Sequence, residues 1–191
     1  MNSRHLLRLT LVGWAVLTVS SSAQDTNVFG WVPATKLEAF ETNVSSVIIK
    51  ATSEVGSLAV NSGLLEVRCR EITDTATARK EQGLAIDLTV RGGTKDKMLV
   101  DYDELDGLLK GVEYLSKIDV AVTSLDTFDA VYTTRGGFRV AVLGNRRTSA
   151  ITFAVRDART YTPPLAFSRS EMTRLWELIG QAKKELDSAG R

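Results

Sequence analysis

Side chains suited to acid–base or metal chemistry are scarce in this sequence: one histidine, His5, and one cysteine, Cys69. His5 falls in a segment that reads as removable. Arg4, His5 and Arg8 give a positive start, Leu9 to Val19 an apolar run, and Ser21-Ser22-Ala23 the small residues of a signal-peptidase site. The run is too short to span a bilayer, which takes about 20 residues. Residues 1–23 are therefore expected to be a signal peptide, with no membrane span after cleavage. A mature chain starting at Gln24 contains no histidine. That excludes a Ser–His–Asp or Cys–His centre and zinc held by imidazole. One cysteine makes neither a disulfide nor a thiolate cluster, and its alternation with Leu65 and Val67 predicts a buried, inert thiol.

The densest acidic group is Asp101, Asp103, Glu104 and Asp106. Carboxylates so grouped can bind calcium or act as an acid–base pair. The spacing lacks the glycine of a calcium loop, and negative charge at a helix start favours the helix dipole. Capping is the expectation. No S-x-x-K arrangement occurs, and no catalytic residue, cofactor or metal site is expected. Asn43-Val44-Ser45 matches a glycosylation sequon, which means little in a chain whose short signal has a bacterial form.

Charge is divided unevenly. Residues 24–126 hold 11 basic and 17 acidic side chains, and residues 127–191 hold 11 and 6. The second half carries Arg135, Arg139, Arg146, Arg147, Arg156 and Arg159, with Tyr132 and Tyr161 near them. On a sheet, Arg139 and Arg156 oppose the apolar Phe138/Val140 and Phe153/Val155 faces. Basic, aromatic surfaces of this kind hold single strands or anionic polymers. The competing reading is a solvated face whose arginines balance the acidic first half. Cleavage leaves 22 basic against 23 acidic residues, without the strong positive field of nucleic-acid binders.

The elements that position these residues follow from periodicity. The composition, 43% hydrophobic and 25% charged, is that of a globular domain. Residues 24–45 form a lead-in, with a helical turn near Leu37 to Phe40. Val47-Ile48-Ile49 and Leu58-Ala59-Val60 read as strand ends flanking a turn at Gly56. Leu65, Val67 and Cys69, then Leu84, Ile86, Leu88 and Val90, alternate as half-buried strands. The polar stretch from Thr73 to Gln82 reads as a long hairpin tip. Gly92-Gly93 turns into Met98-Leu99-Val100. Asp101 and Glu104 then make an acidic capping box before a helix striped by Leu105, Leu108, Leu109, Val112, Leu115 and Ile118. Gly107 and Gly111 on its flank point to a close approach by the other helix or a partner chain.

The second half repeats this order through Phe128–Tyr132, Phe138–Val142, Ile151–Val155 and Leu165–Phe167. A second capping box, Ser168/Glu171, opens a helix striped by Met172, Leu175, Trp176, Ile179, Ala182 and Leu186. An offset of 67 lays Leu84, Ile86 and Leu88 on Ile151, Phe153 and Val155, and Asp101/Glu104 on Ser168/Glu171. The expected fold is α+β: a single domain over 46–191 made of two pseudo-repeats, 46–119 and 127–188. Each is an antiparallel ββββ sheet followed by one helix, and the two share one core because neither buries enough alone.

Pro164-Leu165-Ala166-Phe167-Ser168, then Glu171-Met172 and Leu175-Trp176, resemble the last strand and capped helix of the Whirly family of single-stranded DNA binders. The strand–strand–strand–strand–helix order, used twice over roughly 47–188, is also similar to the fold of the coactivator positive cofactor four. The lysine-rich strand motif typical of Whirly proteins is absent. The resemblance implies the fold and a single-stranded nucleic-acid ligand, while export argues against a genomic role, and fold alone does not carry function.

The sequence thus leads to an exported, periplasmic or secreted, non-catalytic binding or structural module with an unknown protein or ligand as partner, open to homodimerisation. The alternative is a nucleic-acid or polyanion binder using the arginine-rich face. A histidine-independent enzyme is the third class.

Overall fold

The computed structural model describes residues 32–190, so the signal at 1–23 and the start of the lead-in lie outside the described residues. Two four-stranded antiparallel sheets carry the fold, with 44% of the described residues in strands and 29% in helices. The chain runs α1 (Lys36–Glu41), β1 (Ile48–Val60), β2 (Gly63–Asp74), β3 (Arg79–Val90), β4 (Lys95–Asp101) and α2 (Leu105–Lys117). It continues through β5 (Thr127–Thr133), β6 (Phe138–Asn145), β7 (Ala150–Asp157), β8 (Leu165–Phe167) and α3 (Arg169–Ala189). Strand order is β1-β2-β3-β4 in the first sheet and β5-β6-β7-β8 in the second. The expected α+β class and its repeated sheet-plus-helix arrangement are what the chain forms.

One continuous core joins the inner faces of both sheets to both long helices. Leu65, Val67, Leu84 and Ile86 meet Leu108, Val112, Leu175 and Ile179 there, together with Phe138, Val140 and Val155. Full burial of each such side chain contributes about 1.5–3 kcal/mol. The helices are crossed relative to the chain. Helix α3 follows the second sheet but lies along β1, β2 and β3 of the first, touching its own sheet at β8. Helix α2 follows the first sheet but lies against β5 and β6 of the second. The two helices also pack on each other.

Four sequence expectations are corrected. Gly56 is not a turn: β1 runs unbroken through it with a β-bulge between Glu54 and Gly56. The glycine lets α3 pack close, since a Cβ there would fall 2.8 Å from Leu178 Cδ2. The Thr73–Gln82 tip is shorter than expected, since β2 reaches Asp74 and β3 starts at Arg79; polar side chains tolerate the solvated end of the ribbon. Trp176 is 39% exposed, and Leu178, not counted in the stripe, is buried in its place. The Asp101/Glu104 box does not form. A 3-10 turn, Tyr102–Glu104, precedes α2, and Asp101 makes no cap hydrogen bond to it. The Ser168/Glu171 box forms with both reciprocal bonds.

Candidate functional site

Asp101 is 1% exposed at the end of β4. Its carboxylate accepts the backbone N–H groups of Lys36 at 2.8 Å and Leu37 at 3.1 Å. Thr35 accepts from the Glu38 N–H at 3.0 Å. Asp101 therefore caps α1, a helix 64 residues away, and pins it to the first sheet. Leu37 then packs with Ile72, Ala85 and Leu99 on the sheet's outer face. The rest of the acidic cluster is also neutralised. Arg135 pairs with Asp103, with Asp101 at 3.3 Å and with Glu104 at 3.2 Å, Lys36 pairs with Asp103 at 3.0 Å, and Lys183 lies 3.7 Å from Asp106. The Lys36 hydrogen bond, helped by Arg135 against the opposing effect of burial, holds Asp103 below the usual carboxylate range. Among the described residues no group of three or more His, Cys, Asp or Glu is placed to hold a metal ion.

Cys69 faces α3, with its thiol 3.4 Å from the Ala182 carbonyl. Burial, reinforced by Glu185, pushes its pKa up to about 12, so the thiolate that reacts is suppressed.

Most of the outer face of the first sheet is covered or paired. Beyond α1 it carries an ion ladder: Arg68 pairs with the buried Asp87, and Glu41 meets Arg70 at 2.7 Å, Lys97 at 3.6 Å and Lys50 at 3.8 Å. Burial alone would raise the Glu41 pKa; the Arg70 hydrogen bond, with Lys97 and Lys50, outweighs it and holds the carboxyl low.

The outer face of the second sheet is different. Because Phe138, Val140, Val142, Phe153 and Val155 point into the core, the alternation of the strands sends Arg139, Ala141, Leu143, Thr152, Ala154 and Arg156 outward. Register places Val131, Ala141, Ala154 and Ala166 in one row across all four strands. Leu143 and Thr152 lie opposite each other on one side of that row, and Arg139 and Arg156 on the other. Val131 is 46% and Leu143 49% exposed. Among the described residues the helices pack elsewhere, α1 on the first sheet and α2 and α3 on the inner faces.

Of the residues singled out from the sequence, the fold brings Arg139 and Arg156 together as direct cross-strand neighbours. Arg139 Nε donates to Thr133 Oγ1 at 3.1 Å, while Arg156 donates to the carbonyls of Asp157 at 3.1 Å and Thr160 at 2.8 Å. Among the described residues neither has a carboxylate partner. Tyr161 is fully exposed just beyond this end of the face. The others lie elsewhere. Arg146 and Arg147 occupy the β6–β7 turn at the opposite end, where Arg146 donates to the Ser124 carbonyl. Arg159 is committed to Glu38 at 2.5 Å and Asp157 at 3.4 Å. Tyr132 points inward beneath α2, against Gly107 and Gly111, where burial and the Glu104 carboxylate raise its phenol pKa.

The apolar row escaped the sequence reading, although a signal was there. Val140-Ala141-Val142-Leu143 is apolar on both phases of the alternation, the pattern of a strand buried on both faces, yet one of those faces is open.

Comparison with known proteins adds no relative: no family model matches the chain, and no curated protein or solved structure matches it.

Proposed function

We propose that this protein is a non-catalytic interaction module, exported after loss of residues 1–23, that docks a partner protein on the outer face of its second sheet. One observation carries the reading. The first sheet's outer apolar residues are covered by α1, whereas among the described residues nothing covers the row Val131–Ala141–Ala154–Ala166, and the two arginines that border it have no carboxylate partner. A partner bringing apolar side chains and a carboxylate satisfies both at once. Exposed contiguous apolar rows with a polar border mark such contacts.

A photo-crosslinking residue placed at Ala154 in the producing cells tests this. A discrete adduct, lost when Val131→Asp is added while the fold persists, is the expected result. No adduct at Ala154, or one equally strong at Lys97 on the ion-paired first sheet, defeats the reading. Export is checked separately: intact mass of the exported chain should begin at Gln24.

The Arg139–Arg156 pair favours a second reading, in which the same face takes a single-stranded nucleic acid or another polyanion, as the resemblance to Whirly proteins implies.

A further inference from the structure

We infer that the free edge of β1 joins two copies of this chain, antiparallel about a two-fold axis at Thr52. Among the described residues strand β1 is the outermost strand of its sheet and pairs on one side only, with β2. The Thr75 N–H donates to the Val47 carbonyl at 3.1 Å, which fixes the alternation along the ladder. Ile49, Ala51 and Ser53 exchange hydrogen bonds with β2, while Lys50, Thr52 and Glu54 turn their N–H and C=O groups away from it. Every residue from Ile49 to Glu54 is exposed, Ile49 to 55%. The bulge after Glu54 ends this flat section. An uncovered edge of this length is a template for another strand.

Only registers that match even-numbered residues with even-numbered residues bring the outward groups of two copies together. An axis at Lys50 sets lysine against lysine, and an axis at Glu54 sets glutamate against glutamate. An axis at Ala51 or Ser53 leaves Lys50 and Glu54 facing other residues. The axis at Thr52 alone faces Lys50 with Glu54 of the second copy, twice by symmetry. It also sets threonine against threonine on the axis. Opposite charges and Thr–Thr pairs each favour strand association, and like charges oppose it. Within one copy Glu54 makes no ion pair among the described residues, and the contact of Lys50 with Glu41 is long at 3.8 Å. Glu54 can therefore meet Lys50 of a second copy, which its own Glu41 holds only at long range. The proposal is independent of the docking face on the second sheet.

Sedimentation equilibrium of the protein at about 100 μM is decisive, a concentration high enough to populate a weak edge-to-edge contact with a dissociation constant of tens of micromolar. A dimer is expected. Glu54→Lys and Lys50→Glu should each weaken it about tenfold or more, and the double swap should restore it to within about threefold. Thr52→Pro should abolish it while circular dichroism stays unchanged, because proline there removes no backbone hydrogen bond to β2 and only the one its hydroxyl accepts from Arg70 at 2.8 Å. A monomer at that concentration, a dimer indifferent to the single swaps, or a double swap as weak as the singles overturns the inference.

Discussion

The ring of Tyr132 on β5 lies in a notch that Gly111 opens in α2: a Cβ on Gly111 would fall 2.5 Å from Tyr132 Cδ2. Gly107, one turn earlier, gives the phenol oxygen its room, with the corresponding distance 2.9 Å. The close approach expected there of the other helix or a partner chain is made instead by a side chain of the second sheet.

In an open helix Gly→Ala gains about 1 kcal/mol. At Gly111 the sign should reverse, because overpacking a closed site costs about 1–3 kcal/mol. Gly111→Ala is expected to lower the urea midpoint, and Gly111→Ala with Tyr132→Phe should not recover it, since the ring atoms and not the hydroxyl make the clash. A midpoint raised by Gly111→Ala would show that Tyr132 swings aside freely.

Asp101→Ala removes the acceptor for two N–H groups of α1 and one carboxylate from Arg135. Loss of hydrogen bonds to a buried charge, with their donors left behind, costs about 2–4 kcal/mol. Hydrogen exchange should accelerate first at the amides of α1, ahead of those in α3. Uniform acceleration across both would mean that Asp101 supports the whole core rather than this docking.

Acid should weaken the ion ladder on the first sheet. Glu41 is held below its ordinary value in the fold. Its contribution is therefore complete above the unfolded pKa, near 4.3, and is lost as pH falls through the lower folded value. The melting temperature should drop between about pH 5 and pH 3, and Glu41→Gln should make that drop shallower. An identical drop in the variant would assign acid sensitivity to other carboxylates.

The local signals proved legible, and the distant ones did not. Ser168 and Glu171 read correctly because a capping box is closed within four residues. Asp101 and Glu104 present the same pattern, but α1 competes for Asp101 from 64 residues away, and Arg135 takes Glu104 from across the repeats. The α3 stripe was right at Met172, Leu175, Ile179, Ala182 and Leu186. It erred at Trp176 because periodicity gives the direction of a face, not its width. On the candidate face, register alone made neighbours of Arg139 and Arg156. Spacing in sequence could not separate them from Arg146, Arg147 and Arg159.

The two readings of that face part on salt. If the face docks a protein, neither single-stranded DNA nor heparin should bind at about 0.15 M salt, where screening acts over roughly 8 Å; this is the expected result. Micromolar binding that falls steeply with salt, and whose slope flattens in Arg139→Ala/Arg156→Ala, would establish the polyanion reading instead.

Because α2 lies against the second sheet and α3 along the first, each half of the chain holds the helix that the other half's sheet requires. Severed within residues 119–126, the polypeptide would give two fragments, each with an apolar sheet face left bare to water. Neither should fold alone, yet mixing them should restore the native assembly by fragment complementation. The covalent link between the halves thus supplies effective concentration rather than architecture.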